Sequence, residues 1–214
     1  MSYTPEMAAA LSGASVRQLA YWRSAQSANG PLLRPDSFEP GTRLSYSFQD
    51  VLALRTFVYL RAHKVPLQRV RKAVSELRAL GEGNHVSAYK LVAVGRDVVW
   101  RVSADEAIAL SGYPGQHVIA EMVDILGDFE SMNGRRVVPL FRPTEGVRVD
   151  PDVRGGYPVI EGTRVPYDIV AGLLADGVEP AEVSAFYPSV SPEAAEGALS
   201  FEQYVDGYRA ARAA

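Results

Sequence analysis

The sequence predicts an α+β chain, mainly helical, in three parts. These are an N-terminal winged helix-turn-helix over residues 1–81, a small β-rich middle segment over 82–146, and a C-terminal hairpin plus three helices, itself helix-turn-helix-like, over 147–214. Three observations predict it. Apolar residues recur at helical spacing near both ends, in runs bounded by Ser, Thr, Gly and Pro. The middle instead carries the β-branched stretch "KLVAVGRDVVWRVS" at 90–103. Charge, finally, divides along the chain inside an overall net of −3. Residues 1–81 hold 11 Lys and Arg against 5 Asp and Glu (net +6), 82–150 hold 7 against 10 (net −3), and 151–214 hold 4 against 10 (net −6). A cationic head suits a polyanion and an anionic tail does not.

Composition narrows the classes further. No apolar run approaches the roughly 20 residues that a membrane helix needs. "MSYTPEMAAALSG" has neither the basic start nor the long apolar core of a signal peptide, so a cytoplasmic location and no membrane partner are expected. Cysteine is absent, which excludes disulfides and thiolate metal sites.

In the head, Thr4-Pro5-Glu6 combines an N-cap hydroxyl, a proline where no N–H is needed, and an acid at the positive dipole end. Met7, Ala10 and Leu11 form the stripe of this first helix, which Ser12-Gly13 ends. Ser15 and Gln18 make a capping box for a second helix, with Val16 and Leu19 inward and Arg17, Gln18 and Tyr21 elsewhere. Two short helices about a tight turn place the second in a major groove. "NGPLLRPDSFEPGTRLSYS" (29–47) has the turn residues and short candidate strands of a wing. Ser47 to Asp50 caps a third helix with Val51, Leu54, Phe57 and Val58 inside. Pro66 opens a fourth, with Leu67, Val70, Val74 and Leu77 inside and Arg69, Arg71, Lys72 and Arg78 mostly outside. The candidate DNA contacts are Ser15, Arg17, Gln18, Tyr21, Arg23 and, in the wing, Arg43. Guanidinium groups pair well with phosphate and guanine edges.

"YTPEMAAALSGASVRQLAYW", the stretch from Arg43 through Tyr46-Ser47 to Asp50-Val51, and "LRAHKVPLQRVRKAV" together resemble the DNA-binding domain of the MerR family over roughly the first 80 residues. That resemblance implies a dimeric winged helix-turn-helix, with Arg17 and Tyr21 on the reading helix and Arg43 in the wing. Ala20 stands where the family often has a second Arg, the loop between Trp22 and Leu32 is longer than usual, and the wing has an extra residue between Arg43 and Tyr46.

The middle departs from such regulators. "GEGNHVS" (81–87) breaks the helix, and 90–103 reads as two strands about Gly95-Arg96. A short helix from Asp105, a turn at 112–116, and a strand "RRVVPLF" (135–141) follow. His63, His85 and His117 lack metal-ligand spacing, "GEG" is no dinucleotide fingerprint, and no nucleophile–base set appears. No cofactor and no enzymatic activity are expected. The segment reads as a spacer that orders the ends or joins two copies.

In the tail, "RPTEGVRVDPDVRGG" (142–156) is a linker. "YPVIEGTRVPYDIV" (157–170) then reads as a hairpin about Glu161-Gly162, feeding a helix with Val165, Ile169 and Leu173 on its inner face. "EPAEVSAFYP" (179–188) is a second helix, and Ser191-Pro192 starts a third with Phe201, Tyr204, Val205 and Tyr208 at helical spacing. That third helix carries Glu193, Glu196 and Glu202 with no Lys or Arg before Arg209. Carboxylates against a phosphate backbone oppose non-specific affinity, so this domain is read as binding protein.

"PVIEGTRVPYDIVAGLLADG" and "YPSVSPEAAEGAL" closely resemble a small domain of unknown function, numbered 433, found in VapB-type antitoxins. The resemblance implies a type II toxin–antitoxin system. The antitoxin would silence a PIN-like ribonuclease toxin through its tail and repress the shared promoter through its head. The toxin-binding candidates are Phe201, Tyr204 and Tyr208 as aromatic anchors, with Phe186 and Tyr187 beside them. Arg209 and Arg212, or else Arg164 beside the hairpin, are the cations that would sit among the nuclease's metal-holding carboxylates. The partners expected are operator DNA, the toxin and a second copy of the chain. The alternative is a stand-alone MerR-like regulator whose middle and tail sense a ligand or a protein.

Overall fold

The computed structural model describes residues 2–24, 30–35, 44–79, 90–94, 97–101, 107–109 and 122–213. The fold is mainly helical with short antiparallel strands, α+β as expected. Helix α1 (Pro5–Ser12) has Thr4 as N-cap, its side chain accepting from the Met7 N–H, and ends at Gly13 with φ 80°. At that glycine a Cβ would lie 2.4 Å from Val137, so the tight turn needs both the left-handed backbone and the missing side chain. Helix α2 (Val16–Arg23) starts on the capping box of Ser15 and Gln18. Helix α3 (Phe48–Ala62) starts on a second box, Ser47 with Asp50. Tyr3 and Tyr46 form a single antiparallel bridge that closes the head around α1 and α3. Residues 30–35 are not strand, and most of the expected wing, Arg43 included, lies outside the described residues.

Helix α4 (Leu67–Ala79) buries Val70 and Val74 as expected, but Arg71 turns inward too, only 8% exposed. Position 71 shares the helix face of Leu67 and Val74. The inward guanidinium donates to the Gly30 carbonyl at 3.0 Å and lies 5.4 Å from the Tyr21 ring centroid, which offsets part of its desolvation.

Strands β1 (Lys90–Val94) and β2 (Asp97–Arg101) pair antiparallel with Val94 opposite Asp97, the register of a two-residue connection. Beyond Asp105 the structure differs from the expected helix. Ala107–Ala109 is a third strand, β3, pairing with β2. The open edge of β2 offers hydrogen-bond partners that outweigh the helix preference of alanine. The 112–116 turn lies outside the described residues. Helix α5 (Met122–Leu126) leads into β4 (Phe129–Glu130) and β5 (Arg136–Val137), which pair as a short hairpin. The expected strand over 135–141 therefore shrinks to two residues, since Pro139 has no N–H for a ladder.

The opening of the tail also departs from expectation. β7 (Val159–Ile160) pairs with β6 (Val147–Arg148), two residues within the expected linker, rather than with a second hairpin arm. The turn itself is present: the Thr163 N–H donates to Ile160 O, Gly162 has φ 76°, and Val159 bridges Pro166. Proline again limits the ladder. Helix α6 (Tyr167–Ala175) buries Tyr167, Val170 and Ala171 and leaves Ile169 45% exposed, so the inner stripe is shifted from the expected one. The second helix is a 3₁₀ turn (Pro180–Glu182) followed by α7 (Val183–Phe186).

The last helix, α8 (Pro192–Ala213), packs against α6 and also against α1. Ala195, Ala198, Phe201, Val205 and Tyr208 form its buried stripe. One apolar core thus runs from Tyr3 of the head to Tyr208 of the tail. No described helix is long and apolar enough to cross a membrane.

Candidate nucleic-acid interface

Helix α2 stands at the surface on a buried foundation. Leu19 and Trp22 are buried beneath it, Trp22 edge-on to Phe57 with centroids 6.0 Å apart. The Leu32 N–H donates to Trp22 O at 2.7 Å, which holds the exit from the helix. The outward face carries Arg17, Gln18, Ala20 and Tyr21, all exposed.

The predicted contacts differ in their freedom. Ser15 and Gln18 are occupied with each other: the Ser15 N–H donates to Gln18 Oε1 at 2.7 Å, and the Gln18 N–H to Ser15 Oγ at 3.1 Å. Their first duty is to begin the helix. Arg17 has no ion pair among the described residues. Tyr21 is 55% exposed and is backed by Arg71, which steadies the ring and brings a cation behind it. Arg23 is half-buried and donates to Tyr46 Oη at 3.3 Å, tying α2 to the stem from which the wing leaves. Burial pushes the Tyr46 hydroxyl above its ordinary pKa, and the Arg23 hydrogen bond pulls the other way. Arg17 and Arg23 line the same cavity of about 480 Å³, walled by Val16, Ala20 and Leu44.

The residues expected to meet a protein partner are placed otherwise. Phe201 is fully buried, stacked edge-on against Tyr167 at 4.8 Å, and Tyr208 is 3% exposed. Both belong to the core and neither is a free anchor, because α8 uses that stripe to join α6 and α1. Tyr204 is half-buried, its hydroxyl donating to Ala10 O at 3.1 Å across the join of tail and head. Arg209 is held by its own helix, at 2.6 Å from Glu202 and 2.5 Å from Asp206. Burial alone would lower its pKa, but these carboxylates more than offset that and raise it. The Arg212 side chain lies outside the described residues, and Arg164 is exposed. Phe186, at 59%, is the most exposed aromatic of the tail.

Sequence reasoning missed two inward arginines. Arg71 had a legible signal, its place on the helix stripe, overridden by its charge. Arg55 had one too: it sits between Leu54 and the Phe57-Val58 pair in a helix buried almost all round. The acceptors that make its burial tolerable are 44 to 83 residues away, so nothing local announced them.

Comparison with known proteins agrees with this geometry. Residues 3–77 match the family described as MerR HTH family regulatory protein, and residues 147–201 match the one described as Protein of unknown function (DUF433). No curated protein matches the chain. Among solved structures, the chain shares its fold with the crystal structure of Rv2018 from Mycobacterium tuberculosis. The TM-score is 0.55 at 17% identity, over 92% of this chain and 96% of that one. The chain therefore carries a MerR-family helix-turn-helix at its N-terminus and a DUF433 domain at its C-terminus.

Proposed function

We propose that this chain is the antitoxin and autorepressor of a toxin–antitoxin pair, binding operator DNA through α2 as a two-fold dimer and a PIN-like ribonuclease through its tail. The observation that carries this reading is the division of surface charge. Around α2 the exposed or half-exposed charges include Arg17 and Arg23, with Arg71 behind Tyr21, against half-exposed Glu6 of α1 near Tyr46. On the tail the exposed charges include Glu179, Glu182, Glu193 and Glu196, beside exposed Ile169 and Phe186. Cationic surface attracts the phosphate backbone, whereas an acidic surface with exposed apolar side chains suits a basic polypeptide. Since Phe201 and Tyr208 are core, the anchoring role passes to Phe186 and Ile169, with Arg164 the accessible cation.

The test is co-expression with the product of the adjacent reading frame, followed by copurification and an RNA-cleavage assay. A neutralised nuclease in a stable complex is expected, with Phe186→Ala weakening the complex by about 2 kcal/mol, the scale of an interface hot spot. Cleavage that continues undiminished in the presence of the chain removes the antitoxin reading and leaves a DNA-binding regulator.

A further inference from the structure

The cavity beside α2 is completed by residues that lie outside both matched families. Its far wall is Arg135, in the β4–β5 turn, together with Tyr208 of α8. The Arg135 backbone is fixed at both its N–H and its carbonyl. The Ser131 N–H donates to Arg135 O at 2.9 Å, and the Arg135 N–H donates to Ser131 Oγ at 3.3 Å. Its side chain is laid on the Tyr208 ring, with the guanidinium carbon 4.3 Å from the centroid, and Tyr208 is itself buried in the core. Three arginines, Arg17, Arg23 and Arg135, thus line one opening, and no Asp or Glu lines it with them. Arg135 makes no ion pair among the described residues, while its neighbour Arg136 is matched to Asp128 at 3.1 Å. The methyl group of Ala20 leaves the opening between them unfilled.

We infer that Arg135 is a phosphate-binding residue of the DNA interface, gripping the backbone of the duplex that α2 enters, so that the interface extends beyond the helix-turn-helix onto the β4–β5 turn. The inference rests on the DNA-binding reading of α2. Three arginines on one opening with no carboxylate among its lining residues favour a phosphodiester, whose oxygens match their forked donors. The stacked and hydrogen-bonded setting of Arg135 reduces the rotamer entropy lost when the contact forms.

The test measures the affinity of the full chain for its own promoter duplex, and for unrelated duplex, as a function of salt. Each phosphate neutralised contributes about 0.9 to the slope of log K against log [salt]. Arg135→Ala is expected to lower that slope by about 0.9 and to weaken both duplexes alike, about eightfold near 0.1 M salt. Arg135→Lys keeps the charge and is expected to restore most of the slope, which a merely structural loss would not allow. Arg136→Ala is expected to leave the slope unchanged. An unaltered slope in Arg135→Ala, or an equal fall in Arg136→Ala, overturns the inference while leaving DNA binding by α2 intact. A wild-type chain that binds no duplex overturns both. A third arm titrates inorganic phosphate without DNA. If phosphate raises the melting temperature of wild type but not of Arg135→Ala, while DNA affinity is equal in the two, the cavity serves a free anion instead.

Discussion

Arg55 shows how a single residue ties together segments far apart in sequence. Its side chain is fully buried and donates to four carbonyls in three segments: Nε to Ile125 O at 2.5 Å, Nη1 to Leu11 O at 2.6 Å, and Nη2 to Gly127 O and to Val138 O, the latter at 2.8 Å. Phe129 covers it, with the guanidinium carbon 5.0 Å from the ring centroid. Burial lowers its pKa to about 10, partly opposed by Tyr204, Tyr208 and Asp128, so it stays charged at neutral pH. The group therefore satisfies the end of α1, the end of α5 and the residue just after β5 together. We predict that Arg55→Met, close in volume but with no donor, destabilises the chain by at least about 3 kcal/mol in urea unfolding, because several buried carbonyls lose their partners. Arg55→Lys should rescue little, since one ammonium cannot reach acceptors spread around a planar fork. A loss below about 1 kcal/mol in Arg55→Met would show that the carbonyls find other donors.

At the scale of an element, α8 is decided by close approach as much as by its stripe. Gly197 lies against the backbone of Glu145: a Cβ there would sit 1.8 Å from the Glu145 carbonyl oxygen. Thr144 Oγ1 donates to Gly197 O at 3.1 Å, fixing the same contact from the other side. Gly207, in the same helix, has nothing within 4 Å of its Cβ position. The two glycines make a matched pair. Gly207→Ala should stabilise by about 0.5–1 kcal/mol, the ordinary helix gain. Gly197→Ala should destabilise by about 1–3 kcal/mol, because the steric cost exceeds that gain. Thermal melts of the two variants check this, and a shift of the same sign in both would refute the close-approach account. The stripe of α8 was legible from Phe201, Tyr204, Val205 and Tyr208. That it faces α1 as well as α6 was not, since a helical period reports an inward face and never the identity of what it meets.

At the scale of the whole molecule, buried and half-buried tyrosines tie the head to the tail and the tail's elements to one another. Tyr3 donates to Gly156 O at 2.5 Å, Tyr157 to Asp168 at 2.9 Å, and Tyr167 to Glu202 at 2.7 Å. In Tyr3, Tyr157, Tyr167 and Tyr204 burial raises the hydroxyl pKa above its ordinary value. Neighbouring groups add to this: Tyr157 for Tyr3, Asp168 for Tyr157, Glu202 for Tyr167 and Tyr208 for Tyr204. In the unfolded chain these tyrosines ionise near pH 10. Their contribution to stability is thus complete below about pH 10 and is lost as pH rises toward the folded values. Arg55, lowered to about 10, acts in the opposite sense in that range, one group against six, since burial raises Tyr46 and Tyr59 as well. The expected outcome is stability that falls steeply above about pH 10, with tyrosinate absorbance appearing together with the loss of helical circular dichroism. Ionisation of the full set of tyrosines near pH 10 in a chain that stays folded would sink this account.

The sequence by itself determined the local beginnings and endings of the elements: the caps at Thr4, Ser15 and Ser47, the Gly13 turn, the register of β1 against β2, and the positive φ at Gly162. It also determined the charge asymmetry, and with it the cationic surface at α2. These are short-range effects, complete within a few residues, so they can be read from the residues alone. Tertiary structure alone decided which partners distant groups would find. It turned Arg55 and Arg71 inward, paired β7 with β6, drew Phe201 and Tyr208 into the core, and set Arg135 beside Arg17 and Arg23. Burial of a charge or an aromatic ring depends on acceptors and surfaces brought from tens of residues away, and hydrophobic periodicity carries no record of them.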